Sequence, residues 1–164
     1  MDGKAILKSL IENTGVSGFE SPVASAIYQG FQMFTSEIRT DPMGSVIAKI
    51  KGEATEHNLS VMLAGHMDEI GLMVTKVDDL GFLHVAQIGG FDQRTLPAQE
   101  VIVHGKKDCP GVVAAKPPHL LSVEERKKTV PLSDLLIDIG YKAKQARELV
   151  SVGDLITIRR TMQE

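Results

Sequence analysis

The sequence has 164 residues, 43% of them hydrophobic, 24% charged and 4% aromatic, with a formal net charge of -3. That composition suits one full-sized globular domain or two small ones and excludes a disordered polyelectrolyte. No Lys/Arg cluster exceeds Arg126-Lys127-Lys128, no apolar run nears the roughly 20 residues that span a bilayer, and the start lacks the order of a secretory signal. A single cysteine, Cys109, cannot form an internal disulfide or a thiolate metal cage. The expectation is a soluble, cytoplasmic chain with no nucleic-acid or membrane partner.

In chain order, Ile6, Leu7, Leu10 and Ile11 fall at helical spacing, and Asn13-Thr14-Gly15 closes that helix. Ser21-Pro22 reads as an N-cap followed by proline at the first helical position. Val23, Ala26, Ile27, Gly30, Phe31 and Phe34 then form one apolar stripe. A hairpin follows, with strands at 37–40 and 45–50 around the turn Asp41-Pro42-Met43-Gly44. Residues 59–64 are nearly all apolar, the pattern of a strand covered on both faces. Helices, hairpin and buried strand make an α/β beginning, but one too short to cover that strand by itself.

The texture changes near residue 70. Short strand candidates lie at 71–77, 82–88, 99–104, 112–115, 135–139 and 155–159. Turn signals separate them at 78–81, 89–90, 105–108 and Cys109-Pro110-Gly111. One helix, about 142–150, interrupts them. The pattern predicts a mostly β module, a small barrel or sandwich.

One constellation carries chemistry: Gly65-His66-Met67-Asp68-Glu69-Ile70-Gly71, at the end of the apolar run. On an extended backbone, residues two apart leave the same face, so His66 and Asp68 project together. A carboxylate beside an imidazole orients the ring and raises its basicity, a common support for a metal ligand. Alone, the triplet is as compatible with a structural pairing.

The string LAGHMDEIGLMV at 63–74 is followed by IGGFDQRTLPAQEVIVHG, GVVAAKPPHLL, DLLIDIG and VGDLI, with TGVSGFE and DPMGSVIA upstream. These ordered blocks resemble the N-terminal half of the dinuclear-metal aminopeptidases of the glutamyl, deblocking and tetrahedral (TET) type, whose members are sometimes labelled endoglucanases. The resemblance implies an α/β metallopeptidase domain beginning at residues 1–70. It implies an inserted, mostly β dimerisation domain, barrel or PDZ-like, at 71–158, and a return to the catalytic domain at 159–164. It also implies removal of N-terminal residues from peptides with two divalent ions, zinc or cobalt, and homo-oligomers built through the β domain. His66 matches the first metal ligand and Asp68 the catalytic aspartate that orients it. The family's other ligands and its glutamate base match nothing here, so the chain by itself is expected to hold no stable metal pair and to be inactive.

Other polar residues read as structural. Asp138 and Gly153-Asp154 are turn chemistry, and His84 and His104 lie in strand candidates. His57, four residues after Glu53, sits in a polar loop, and Cys109 is a free thiol in a turn. His119, after Pro117-Pro118, is projected predictably by its stiff neighbours, with a structural role preferred. A competing class is a non-catalytic module that dimerises through the β domain. A glycan hydrolase has little support, since it needs two carboxylates across a cleft, which a sequence alone does not show.

Overall fold

The computed structural model describes residues 3–53 and 59–162. The chain divides into two compact units, one formed by residues up to Glu69 with those from Thr161 onward, the other by Ile70–Arg160.

The N-terminal unit holds helices α1 (Gly3–Glu12) and α2 (Ser21–Gln32) and an antiparallel hairpin of β1 (Ile38–Thr40) and β2 (Val46–Ala48). Helix α2 packs on α1 and on both hairpin strands, burying Val23. At the hairpin turn, Asp41 Oδ1 accepts the amides of Met43 and Ser45, each at 2.9 Å. Two expectations fail here. Glu20, not Ser21, stands at the N-cap of α2, and no side chain caps that helix, because the Glu20 carboxylate accepts the Gly18 amide at 2.6 Å instead. Residues 59–64 form no strand: Leu59 and Leu63 are 90% and 92% exposed. A strand exists only where a neighbour pairs its amides and carbonyls. Among the described residues of this unit the one sheet is the hairpin, and nothing pairs with 59–64.

The second unit is a closed six-stranded barrel. Its strands are β3 (Gly71–Val77), β4 (Leu83–Ile88), β5 (Glu100–His104), β6 (Asp108–Ala114), β7 (Leu136–Asp138) and β8 (Leu155–Ile158), in the order β3-β4-β7-β6-β5-β8. All pairings are antiparallel, and Leu72↔Ile156 and Met73↔Leu155 close the ring. Closure removes the unpaired edges that an open sheet exposes. Alternate residues point inward, so Leu72, Val74, Val101, Val103, Val113, Ile137 and Ile156 form the core. Helix α3 (Ala143–Leu149) adds Ala146 to the same cluster.

Cys109-Pro110-Gly111 corrects another expectation, since it lies inside β6 and is no turn. Proline lacks the amide a ladder needs, but the gap is tolerated locally. Within β6 only Val112–Ala114 pair with β7, so the first half of β6 is bonded on the β5 side alone. Gly111 leaves room for the end of β7: a Cβ there would lie 3.0 Å from the Asp138 carbonyl oxygen. Turns shape the rest. Asp78 Oδ1 accepts the amides of Leu80, Gly81 and Phe82 between β3 and β4, and Gly81 takes a φ of +101° against the Tyr141 carbonyl.

Candidate active site

The N-terminal unit places His66 and Asp68 in an irregular stretch just before Glu69, not at the end of a paired strand. That stretch is anchored at one point. Val16 and Glu69 form an isolated parallel bridge, with the Glu69 amide donating to the Gly15 carbonyl at 2.7 Å and the Ser17 amide to the Glu69 carbonyl at 3.2 Å. The Glu69 side chain returns to accept the Gly15 amide at 3.0 Å. Close approach depends on Gly15, where a Cβ would lie 2.7 Å from Val23 Cγ1 and 3.3 Å from the Met67 carbonyl oxygen.

On this anchor the two candidate residues meet. His66 Nδ1 lies 2.9 Å from Asp68 Oδ1 and 3.0 Å from the Asp68 backbone oxygen. Both are acceptors, so Nδ1 carries the proton and donates, and in the neutral ring the lone pair sits on Nε2. Nε2 meets no polar partner among the described residues, and the side chain is 85% exposed. The other carboxylate oxygen, Asp68 Oδ2, accepts the Ser17 hydroxyl at 2.5 Å. That bond first, and the His66 bond second, hold the Asp68 carboxyl below its ordinary range. The result is an ionised carboxylate clamping a ring whose free nitrogen faces outward.

Ser17 and the Glu69 side chain were not singled out by sequence reasoning. Ser17 lies 51 positions from Asp68. The only signal was the small-residue turn Thr14-Gly15-Val16-Ser17-Gly18, a shape that can bring a hydroxyl close to a distant segment.

The remaining histidines do not join this pair. His57 lies outside the described residues. His84 Nε2 faces Asp78 at 3.7 Å. His104 bridges strands on the barrel, with Nδ1 2.9 Å from Asp108 Oδ1 and Nε2 2.9 Å from Thr157 Oγ1. His119 is exposed in the short 3-10 turn Pro118–Leu120. Cys109 is buried in the barrel. Asp138 accepts the Gly140 amide at 2.8 Å and Asp154 the Ser151 amide at 2.8 Å, both turn bonds. Among the described residues, no three His, Cys, Asp or Glu side chains converge as a metal cage. No described helix is long and apolar enough to cross a membrane.

The donor chemistry of His66 fits one metal ligand: a neutral imidazole with its second nitrogen tied to a carboxylate. It does not fit a whole site, which takes about three protein ligands for each catalytic ion.

Comparison with known proteins gives this geometry a family. A curated lysyl aminopeptidase of Pyrococcus furiosus is 34% identical over 146 residues, 87% of this chain and 41% of that protein. The structure of an aminopeptidase from the archaeon Desulfurococcus kamchatkensis superposes with a TM-score of 0.86 at 33% identity, covering 98% of this chain and 44% of that one. A Pyrococcus horikoshii TET1 peptidase, described as able to assemble into a tetrahedron or a large octahedral shell, matches with a TM-score of 0.77 at 35% identity, over 95% and 46% of the two chains. The chain thus spans less than half the length of each of these proteins. The sequence profile of the M42 glutamyl aminopeptidases matches residues 44–164, most of the chain, and the protein belongs to that family.

Proposed function

We propose that this chain carries one part of the active site of a metal-dependent aminopeptidase, with His66 as a metal ligand and Asp68 as the carboxylate that orients it. One observation carries the reading: Asp68 holds Nδ1 of His66 at 2.9 Å while Nε2 is left without a polar partner among the described residues. Family membership supplies the reaction class, removal of N-terminal residues from peptides. A pair of divalent ions, zinc or cobalt, supplies Lewis acidity toward the scissile carbonyl when bound. Asp68 keeps the proton on Nδ1 and so keeps Nε2 available. Ser17 and the Gly15–Glu69 bonds hold that carboxylate in place.

In this reading the barrel is the dimerisation domain, barrel or PDZ-like in shape, inserted into the α/β catalytic domain, and it joins copies into larger homo-oligomers in the cytoplasm. The assembling TET1 relative supports the homo-oligomeric part of this reading. Since the matched relatives are more than twice as long, the other ligands and the general base are assigned to regions with no counterpart here.

Two measurements test the proposal. The 164-residue chain should bind zinc weakly and hydrolyse aminoacyl-nitroanilides no faster than buffer; metal-dependent turnover by the pure chain would reveal unrecognised ligands. A chimera with this chain in place of the matching region of the P. furiosus enzyme should hydrolyse those substrates, and His66→Ala should abolish the activity. An active chimera indifferent to that substitution would sink the assignment.

A further inference from the structure

We propose that Ser17 is a positioning residue for the His66–Asp68 pair, its hydroxyl fixing the carboxylate that turns the imidazole outward through Nε2. The proposal rests on the reading of His66 as a metal ligand and adds to it a residue from a distant loop.

The two oxygens of Asp68 are engaged from different sides: Oδ2 by the Ser17 hydroxyl at 2.5 Å and Oδ1 by His66 Nδ1 at 2.9 Å. The terminal torsion of an aspartate is broad when free. Two directed bonds narrow it to one orientation. Toward an ionised carboxylate a hydroxyl can only donate, so the direction of the Ser17 bond is settled by chemistry.

The position of the hydroxyl is set by backbone as well as by its own rotamer. Three main-chain and side-chain bonds tie residues 15–17 to Glu69, and Val16 between them is fully buried. Gly15 presses against Val23, the other buried side chain among the described residues of this unit. The strip that carries Ser17 is therefore the best-packed part of the unit, while the His66 ring it serves stands in solvent. An exposed ring needs such an outside constraint. The Asp68 backbone carbonyl also faces Nδ1 at 3.0 Å, but a neutral acceptor makes the weaker bond, and the charged one is the one that can rotate away.

The test reads the His66 ring nitrogens by 15N NMR in the 164-residue chain, without metal, at one fixed pH near neutrality. The wild type should show the Nδ1–H tautomer. Ser17→Ala and Ser17→Cys should each lower the ratio of Nδ1–H to Nε2–H by roughly three- to tenfold, the weight of one hydrogen bond. Ser17→Thr, which keeps the hydroxyl, should restore it. Contacts between the Val16 and Val23 methyl groups report that the loop remains packed. If alanine disturbs them, the cysteine variant, closest in size, carries the comparison. An unchanged ring signature in a packed variant lacking the hydroxyl overturns the role of Ser17. Zinc titration of the wild type separates the underlying reading: zinc should shift His66 Nε2 ahead of the rings of His84, His104 and His119. If it does not, the ligand assignment fails, whatever the tautomer measurement gives.

Discussion

The two units solve the problem of burial very differently. Among the described residues, the N-terminal unit buries two apolar side chains, Val16 and Val23, whereas the barrel buries fourteen. The N-terminal unit leaves large apolar groups in water, with Leu59, Met62 and Leu63 each close to nine-tenths exposed or more. Hydrophobic burial contributes about 25 cal/mol per Å², so one unit has a core to hold it and the other has little. The candidate chemistry nevertheless sits in the poorly packed unit, on the one strip where it is anchored. A site can be locally well made inside a unit that is not.

Hydrogen exchange should show the largest difference between the two units. If the barrel alone has a cooperative core, the amides of Val101, Val103 and Ile137 exchange only when it unfolds. Even the low end of domain stability, about 5 kcal/mol, corresponds to a slowing of roughly a thousandfold or more. Amides of α1 and of residues 59–64 should show almost none of that protection, with a local maximum near Val16 and Glu69. Equal protection across residues 3–53 and the barrel would mean that the first unit is stabilised by something other than the burial described.

Truncation gives the same contrast in energy. Ile137 is fully buried in β7, and Ile137→Ala should cost about 2–5 kcal/mol, read from urea unfolding of the barrel. Leu63→Ala, at a side chain 92% exposed, should change stability by about 0.5 kcal/mol or less. A comparable loss at Leu63 would show that the segment is covered in solution, for example by a second copy.

The contrast also explains what could be read before the fold was known. Barrel strands were legible because each carries its own alternation and turn signals: the sequence pattern and the structure both bound β3 at Gly71 and Val77. The start of β6 was hidden because Pro110-Gly111 looks like a turn, and only the absence of β7 pairing at that point makes proline acceptable. Residues 59–64 mislead in the opposite sense. Their composition suits a buried strand, but strand formation depends on a neighbour that local sequence does not encode. His66 and Asp68 were visible as a pair two residues apart. Ser17 was not, because the contact that gives it meaning spans 51 positions.

A weaker contrast lies between one exposed carboxylate and the barrel turn that holds it. On the barrel, Asp92 accepts the guanidinium of Arg94 through Nε at 2.8 Å and the Arg94 amide at 2.9 Å, capping the short turn Gln93–Thr95. The Arg94 side-chain bond first, and the amide bond second, lower its carboxyl to about 2. A folded value below the unfolded one stabilises at pH above the unfolded value of 3.8 and loses that contribution as pH falls towards about 2. Both side chains are well exposed, so solvent and salt screen the pair and the gain is small. The carboxyl carbon of Asp92 should titrate below the ordinary aspartate range by 13C NMR, and Arg94→Ala should move its midpoint part of the way back, since the amide cap remains. The gap in urea midpoint between wild type and Asp92→Asn should be present at pH 6 and close towards pH 2. An ordinary midpoint for Asp92 would mean that even the well-packed unit does not hold this loop in one arrangement, and that core order does not extend to the surface turns of the barrel.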